Sequence, residues 1–309
     1  MKWNKETIQR LGPLLGLLLI GIILSILEPR FLTVSNLFNV VRQVSINAIL
    51  AFGMTFVILT GGIDLSVGSI LALVGALVAG MMTGGIDPVL AVIAGIGVGA
   101  ILGGINGVLV AKGKLAPFIV TLATMTIYRG LTLVYTEGRP ITGLPDEFRF
   151  LGRGELLGIP VPIILTFLLF ILLLIVMEKT TFGRRVYALG GNEEAARLSG
   201  IKTNRSKIWV YVISGMTAAV SAIILTSRLN SAQPTAGFAF ELDAIAAVVL
   251  GGTSLAGGYG TLGGTLIGAL IIGILDNGLN LLNVSSFYQQ VVKGLVILIA
   301  VLLDRRKST

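Results

Sequence analysis

The chain has 309 residues, of which 54% are hydrophobic and only 12% charged, with 41 glycines, no cysteine, no histidine and a formal net charge of +8. A mean hydropathy of +0.94 over this length excludes a soluble globule on a single anchor helix and requires most of the chain to lie in lipid. Without Cys or His there is no thiol nucleophile, disulfide, Cys/His zinc site, Ser-His-Asp triad or histidine shuttle, so neither a catalytic residue nor a metal site is expected.

A hydrocarbon core about 30 Å thick takes roughly 20 apolar residues per helix. Ten segments meet or approach that length: Leu11 to Leu27, Val44 to Thr60, Val67 to Met82, Pro88 to Ala111, Ala116 to Tyr135, Pro162 to Met177, Ile208 to Thr226, Leu242 to Gly251, Leu262 to Leu282 and Tyr288 to Leu303. The eighth is short and reads as a broken or partly re-entrant helix. The first follows a basic start as a signal peptide would, but Glu28, Pro29 and Arg30 stand where a small-residue cleavage site belongs, so it reads as a retained helix. The expected fold is therefore an all-α, polytopic integral membrane protein of about ten transmembrane helices, residues 1–309 forming a single transmembrane domain.

Basic residues orient it. With the N-terminus inside, Lys2, Lys5, Arg10, Lys112, Lys114, Lys179, Arg184, Arg185, Arg197, Lys202, Arg205, Lys207, Arg305, Arg306 and Lys307 face the cytoplasm, and Arg30, Arg139, Arg149, Arg153 and Arg228 lie outside. Arg42, Arg129 and Lys293 fall in or near spans. Fifteen against five places both termini in the cytoplasm and accounts for the +8 without any nucleic-acid partner. Two hydrophilic stretches interrupt the pattern: an external loop over 136–159, which is either a plain solvated loop or a seat for a soluble partner, and a cytoplasmic loop over 178–207.

The cytoplasmic loop contains a run from Gly183 to Gly200. In it Gly190 and Gly191 are expected to break the chain, Asn192 to cap a helix starting at Glu193, Glu193 and Glu194 to suit its positive end, and Gly200 to stop it. Two turns are too short to be stable alone in water, so this helix must dock on something. The spacing Glu194-Ala195-Ala196-x-x-x-Gly200 resembles the signature loop of ABC importer permeases, whose short coupling helix seats in a separate ATPase. On that reading the small Ala195 and Ala196 permit close approach, and Glu194, Arg184 and Arg185 pair across the interface. The alternative is a capped helix lying on the anionic inner leaflet. The only Gly-Lys, Gly113-Lys114, precedes Leu115, so the chain has no recognisable phosphate-binding loop and an ATPase would be another subunit. An ion-driven carrier would place several carboxylates inside its spans, whereas Asp276 is the one that falls well within a segment.

Longer motifs carry a more specific resemblance. Thr60-Gly-Gly-Ile-Asp-Leu-Ser-Val-Gly-Ser69, Tyr187-Ala-Leu-Gly-Gly-Asn192, Arg228-Leu-Asn-Ser-Ala-Gln-Pro-Thr-Ala-Gly237, Glu241 through Gly258, and Asn277-Gly-Leu-Asn-Leu-Leu282 are similar to the bacterial monosaccharide ABC permeases over about Phe31 to Leu303. Within the family the likeness is greatest to the branch that imports ribose; xylose, galactose, allose and autoinducer are the neighbouring cargoes. The resemblance implies an inner-membrane importer without a cofactor of its own, a homodimer of this chain. Its implied partners are a cytoplasmic ATP-binding subunit with two nucleotide-binding domains, holding ATP and Mg, and a periplasmic or lipid-tethered sugar-binding protein. The sequence departs from the family pattern at Asp276 and Asn283. An ion-coupled sugar carrier is the alternative from another class.

Pathway candidates follow from polar residues inside apolar segments. Asn47, Asn106, Asn277, Asn280 and Gln289 must either line a wet cavity or hydrogen-bond across helices. Gly61 through Gly68 and Gly251 through Gly258 share Gly-Gly-x-x-Leu-x-x-Gly, which suggests two equivalent elbows at the inner mouth. Asp64 and Ser66 in the first, and Ser254 in the second, are candidate helix caps; Asp64 and Ser66 are also candidate sugar contacts. The glycines at 95, 97, 99, 103 and 107, and at 263, 264, 268 and 273, are expected to pack helices closely. Asp276 and Lys293 fall at matched depth in the last hairpin and are expected either to form an intramembrane ion pair or to snorkel separately to the outer interface.

Overall fold

The computed structural model describes residues 5–305, so Lys2, Arg306 and Lys307 lie outside the described residues. In chain order the helices are α1 (Lys5–Leu27), α2 (Val34–Leu59), α3 (Val67–Thr83), α4 (Pro88–Ala111), α5 (Pro117–Thr136), α6 (Asp146–Arg153), α7 (Val161–Lys179), α8 (Thr181–Gly191), α9 (Glu193–Leu198), α10 (Thr203–Leu229), α11 (Phe240–Leu250), α12 (Leu262–Leu281) and α13 (Ser286–Arg305). Strand is confined, among the described residues, to two two-residue pairs: β1 (Ile141–Thr142) with β4 (Ser231–Ala232), and β2 (Glu155–Leu156) with β3 (Ile159–Pro160). The protein is all-helical. Among the described residues six helices, α2, α4, α5, α7, α10 and α12, are long and apolar enough to cross a membrane, and three shorter apolar helices cover Gly12–Leu27, Val67–Thr83 and Ser286–Ile299.

Local chemistry sets the helix starts. Thr33, Asp87 and Thr261 accept backbone N–H groups at the first turns of α2, α4 and α12, while Pro88 and Pro117 occupy first-turn positions where no donor is needed. The second apolar segment begins ten residues earlier than its hydropathy suggests, because Thr33 caps a turn that carries Asn36 and Arg42 into the same helix.

Burial separates core helices from lipid-facing ones. Every residue of α2 from Val44 to Leu59 is buried, as suits a helix apolar on all sides. In α4, α5 and α7 large aliphatic side chains such as Leu90, Ile93, Ile119, Leu168 and Leu172 are exposed instead. A bilayer is the solvent that accepts such faces.

The packing hub is α10, which lies against α2, α3 and α4. Its seam with α4 is made by backbone approach: a Cβ on Gly99, Gly103 or Gly107 would overlap Gly215, Tyr211 or Ile208 of α10, respectively. Gly95, one turn earlier on the same face of α4, takes the Val78 side chain of α3 instead. Gly97, two positions off that face, meets nothing, and neither does Gly263 of α12; the packing expectation fails for these two because they point the other way round the helix. On α12, Gly264 meets Gly251, the residue that ends α11, Gly268 meets Ala247 of α11, and Gly273 meets the Val44 side chain of α2.

The 136–159 stretch is a folded cap and not a plain solvated loop. Ser227 of α10 donates to the Phe148 carbonyl at 2.6 Å and accepts the Gly152 N–H at 2.7 Å, Arg153 donates to the Arg228 carbonyl at 2.6 Å, and Arg42 pairs with Glu155 at 2.6 Å. This cap closes one end of the bundle. The 178–207 stretch, with α8 and α9, closes the opposite end, near the start of α10. They are called here the cap end and the basic end.

At about 1.5 Å per residue the 11-residue α11 is about 16 Å long, roughly half a hydrocarbon core. The chain leading into it is irregular and is held by Arg129 of α5, which donates to the carbonyls of Pro234 and Ala236 at 2.8 Å each. Gly237 in that segment abuts Gly68 of α3, backbone against backbone. Non-helical chain at this depth is tolerated where protein supplies its partners, and that is the service of a cation lodged in an apolar helix.

Candidate functional site: the basic end and the buried polar clusters

The basic end is built from two helices, where the sequence predicts one. Thr180 caps α8, its hydroxyl accepting the Gly183 N–H at 3.3 Å, and Val186 and Leu189 bury one face while Arg184 and Arg185 stay exposed. Gly190 and Gly191 do not break the chain; they form the last turn of α8, and the break falls at the extended Asn192. Gly190 is there for closeness, since a Cβ would overlap the Leu59 carbonyl oxygen and the Gly258 nitrogen.

Asn192 does cap α9, accepting from the Ala195 N–H at 2.9 Å. The end is a Schellman arrangement: Gly200, at φ +83°, donates to the Arg197 carbonyl at 3.0 Å and Ile201 donates to the Ala196 carbonyl at 3.1 Å. Glu194 pairs with Arg197 at 2.6 Å within the helix, and Glu193 with Lys207 at 2.7 Å, so Arg184 and Arg185 are left to other partners. The Arg197 hydrogen bonds hold the Glu194 carboxyl below the usual carboxylate range. Ala196 is buried, whereas Ala195 and Leu198 are exposed, Leu198 to 77%. An exposed leucine on a charged short helix is a surface that lacks its cover. Beside it lie two adjoining cavities of about 540 and 530 Å³, which share Ile201, Lys202 and Arg205 and also carry Lys112, Arg197 and Arg185. Among the described residues no carboxylate lines either of them.

The first elbow is a closed polar knot. Asp64, fully buried, accepts from the Ser66 N–H at 3.0 Å, the Ser66 hydroxyl at 2.6 Å and the Ser214 hydroxyl of α10 at 2.8 Å. Asn106 of α4 donates to the Ser66 oxygen at 2.7 Å. Asp64 thus caps the turn, while Ser66, expected as a cap, makes no capping bond because its hydroxyl is spent on Asp64. In the second elbow the Ser254 hydroxyl accepts the nearby Ala256 N–H at 3.3 Å, and Thr261 caps α12 in its place.

Asn277, Asn280 and Gln289 meet partners across helices. Asn277 and Asn36 of α2 exchange a reciprocal pair of hydrogen bonds at 2.9 Å. Gln289 donates to Asn280 at 2.8 Å across the last hairpin. Asn47, buried on α2, keeps a side-chain oxygen without a hydrogen-bond partner.

Lys293 of α13 lies 2.9 Å from Asp276 of α12 and 3.0 Å from Asp243 of α11. The ammonium therefore bridges two carboxylates on two helices. Asp243 is missed in sequence because it falls at the start of a predicted segment, where a carboxylate reads as a helix-start feature. Arg129 is missed too, since nothing local announces that a loop a hundred residues later will return to it.

The family model for the branched-chain amino acid transport system / permease component matches residues 36–301. The chain is 66% identical to the ribose import permease protein of Bacillus subtilis (strain 168) over 97% of its own length and 94% of that protein. It is 54% identical to the ribose import permease protein of Escherichia coli (strain K12), over 99% and 97%, and 43% identical to the D-allose transport system permease protein of the same strain, over 98% and 92%. No solved structure matches. An all-helical, multi-pass chain matched over nearly its whole length in this way belongs to the family of transport-system permease components.

Proposed function

We propose that this chain is the membrane-spanning permease subunit of an ATP-driven importer whose cargo is ribose. The observation that carries the reading is the 66% identity, spread over nearly both full lengths, to a protein named for ribose import. The allose permease, at 43%, stands clearly further away. The chain works as a single transmembrane domain in the bacterial inner membrane, with ten spans and both termini in the cytoplasm. In support, each of the ten apolar segments falls on a helix, and Lys112, Arg185, Arg197, Lys202, Arg205 and Lys207 gather at the basic end while Arg153 and Arg228 meet at the cap end.

Energy comes from outside the chain, from a cytoplasmic ATP-binding subunit with two nucleotide-binding domains that holds ATP and Mg. Its dock is the basic end: exposed Ala195 and Leu198, the exposed cations Arg184 and Arg185, and the cavities beside α9. A sugar-binding protein delivers cargo to the cap end. Two copies of the chain enclose the pathway, and Asn47 and Asn106, each with a buried side-chain oxygen that has no partner among the described residues, are the amides that could meet a sugar hydroxyl.

The test is uptake of radiolabelled sugar by cells whose own pentose importers are deleted and which express this chain with its two partner subunits. Ribose is taken up and unlabelled ribose competes; preferential uptake of allose or arabinose overturns the cargo assignment.

A further inference from the structure

The basic end touches the end of α2 and the second elbow directly, and the first elbow through the second. The Leu59 carbonyl, at the C-terminal end of α2, lacks a helical partner; it accepts the Gly258 N–H of the second elbow at 3.0 Å. Gly190 of α8 sits against both groups with no room for a Cβ, and Gly257 abuts Gly61 of the first elbow. One side chain completes the junction: the Tyr187 hydroxyl, on α8, donates to the Gly260 carbonyl at 2.7 Å. Burial raises the Tyr187 pKa, with Glu178 adding to the effect, so the hydroxyl remains a donor throughout the neutral range. A few ångströms of α8 displacement therefore cannot be absorbed by flexible side chains, because backbone meets backbone at three points. By contrast α9, the part of the loop that resembles a coupling helix, reaches the rest of the chain through Ala196 and the Glu193–Lys207 pair, both of which can yield.

We propose that Tyr187 and Gly190 of α8 are positioning residues that transmit movement of the basic loop to both elbows at once, α9 being the handle and α8 the lever. The inference rests on the importer reading above and adds to it the route by which the dock reaches α3 and α12, the helices that begin at the elbows. Where the elbows move together, the two helices change tilt together.

The experiment uses the whole transporter, the chain with its ATPase and sugar-binding subunits in proteoliposomes, and reads sugar transported per ATP hydrolysed. Tyr187→Phe keeps the ring and removes the donated hydrogen bond; it lowers that ratio about tenfold, the rate equivalent of roughly one hydrogen bond, with ATP hydrolysis and melting temperature close to wild type. Gly190→Ala lowers the ratio further, whereas Gly191→Ala, on the same turn but with open space around it, leaves it unchanged. Equal ratios for the two glycine variants, together with a normal ratio for Tyr187→Phe, overturn the inference. Should Gly190→Ala fail to assemble, Tyr187→Phe decides alone, and a normal ratio there is fatal. A wild-type complex that shows no ATP-dependent uptake instead contradicts the importer reading itself.

Discussion

The two elbows share Gly-Gly-x-x-Leu-x-x-Gly yet are held by different physics. The first is organised by side chains, with Asp64 taking three hydrogen bonds and Ser66 a fourth from Asn106, all buried, so that α2, α3, α4 and α10 are tied at one point. The second is organised by backbone. Gly252, Gly257, Gly258 and Gly260 all have positive φ, and the Ser254 N–H donates to the Tyr259 carbonyl at 2.9 Å. Repeated sequence here does not mean repeated construction: one elbow is a post knotted by side chains, which moves as a unit, and the other a strap of backbone that lies between the post and the basic end.

This contrast breaks most sharply at Asp64. Asp64→Ala strands three buried donors and is expected to cost about 3 kcal/mol, measured by denaturant unfolding in detergent; the corresponding Ser254→Ala is expected to cost under about 1 kcal/mol. Equal costs would erase the distinction between post and strap. At Gly258, φ is +75° and a Cβ would lie 2.9 Å from the Gly191 nitrogen, so Gly258→Ala combines strain with crowding and is expected to cost about 2 kcal/mol in the same assay. A neutral result would mean that the strap is slack.

A third site sharpens the comparison because it ties helices by charge. Lys293→Met leaves Asp243 and Asp276 facing each other without a counter-ion and is expected to destabilise by about 2 kcal/mol. Combining it with Asp243→Asn and Asp276→Asn is expected to recover about half of that, and a triple variant no better than the single one would dissolve the cluster as a unit. The smallest effect is expected at the α1–α2 turn. There the Arg30 hydrogen bond holds the half-buried Glu28 carboxyl at about 2, down from 4.5. A depressed acid stabilises the fold above its unfolded value and loses that contribution as pH falls from 4.5 toward 2. Glu28→Gln should flatten melting temperature against pH in that window alone.

What was legible in the sequence follows from how local the physics is. The apolar segments coincide with helices because hydropathy and length decide them together. The Asn192 cap and the Gly200 stop were readable for the same reason, since each satisfies groups within four residues. Glycine misled in both directions. Gly190-Gly191 suggested a chain break, although tertiary contact with Leu59 and Gly258 makes that pair the end of a helix, and Gly97 suggested packing that its position on α4 forbids. The capping threonine at 180 and the apolar Phe182, Val186 and Leu189 on one side were the available signals for α8. Long-range polar partners were out of reach: Asn277 with Asn36, Asp64 with Ser214, and Arg129 with the carbonyls before α11 each join residues more than a hundred positions apart. A polar residue in an apolar helix announces that a partner exists, and the fold alone names it.

The central claim is that this chain moves a sugar at the expense of ATP hydrolysed on another subunit. It is tested most directly in proteoliposomes holding the purified chain, its ATPase and its sugar-binding protein, by measuring ribose uptake with ATP and no ion gradient, and then with a proton or sodium gradient and no ATPase. The account predicts uptake in the first condition and none in the second; gradient-driven uptake by the chain without the ATPase would contradict it.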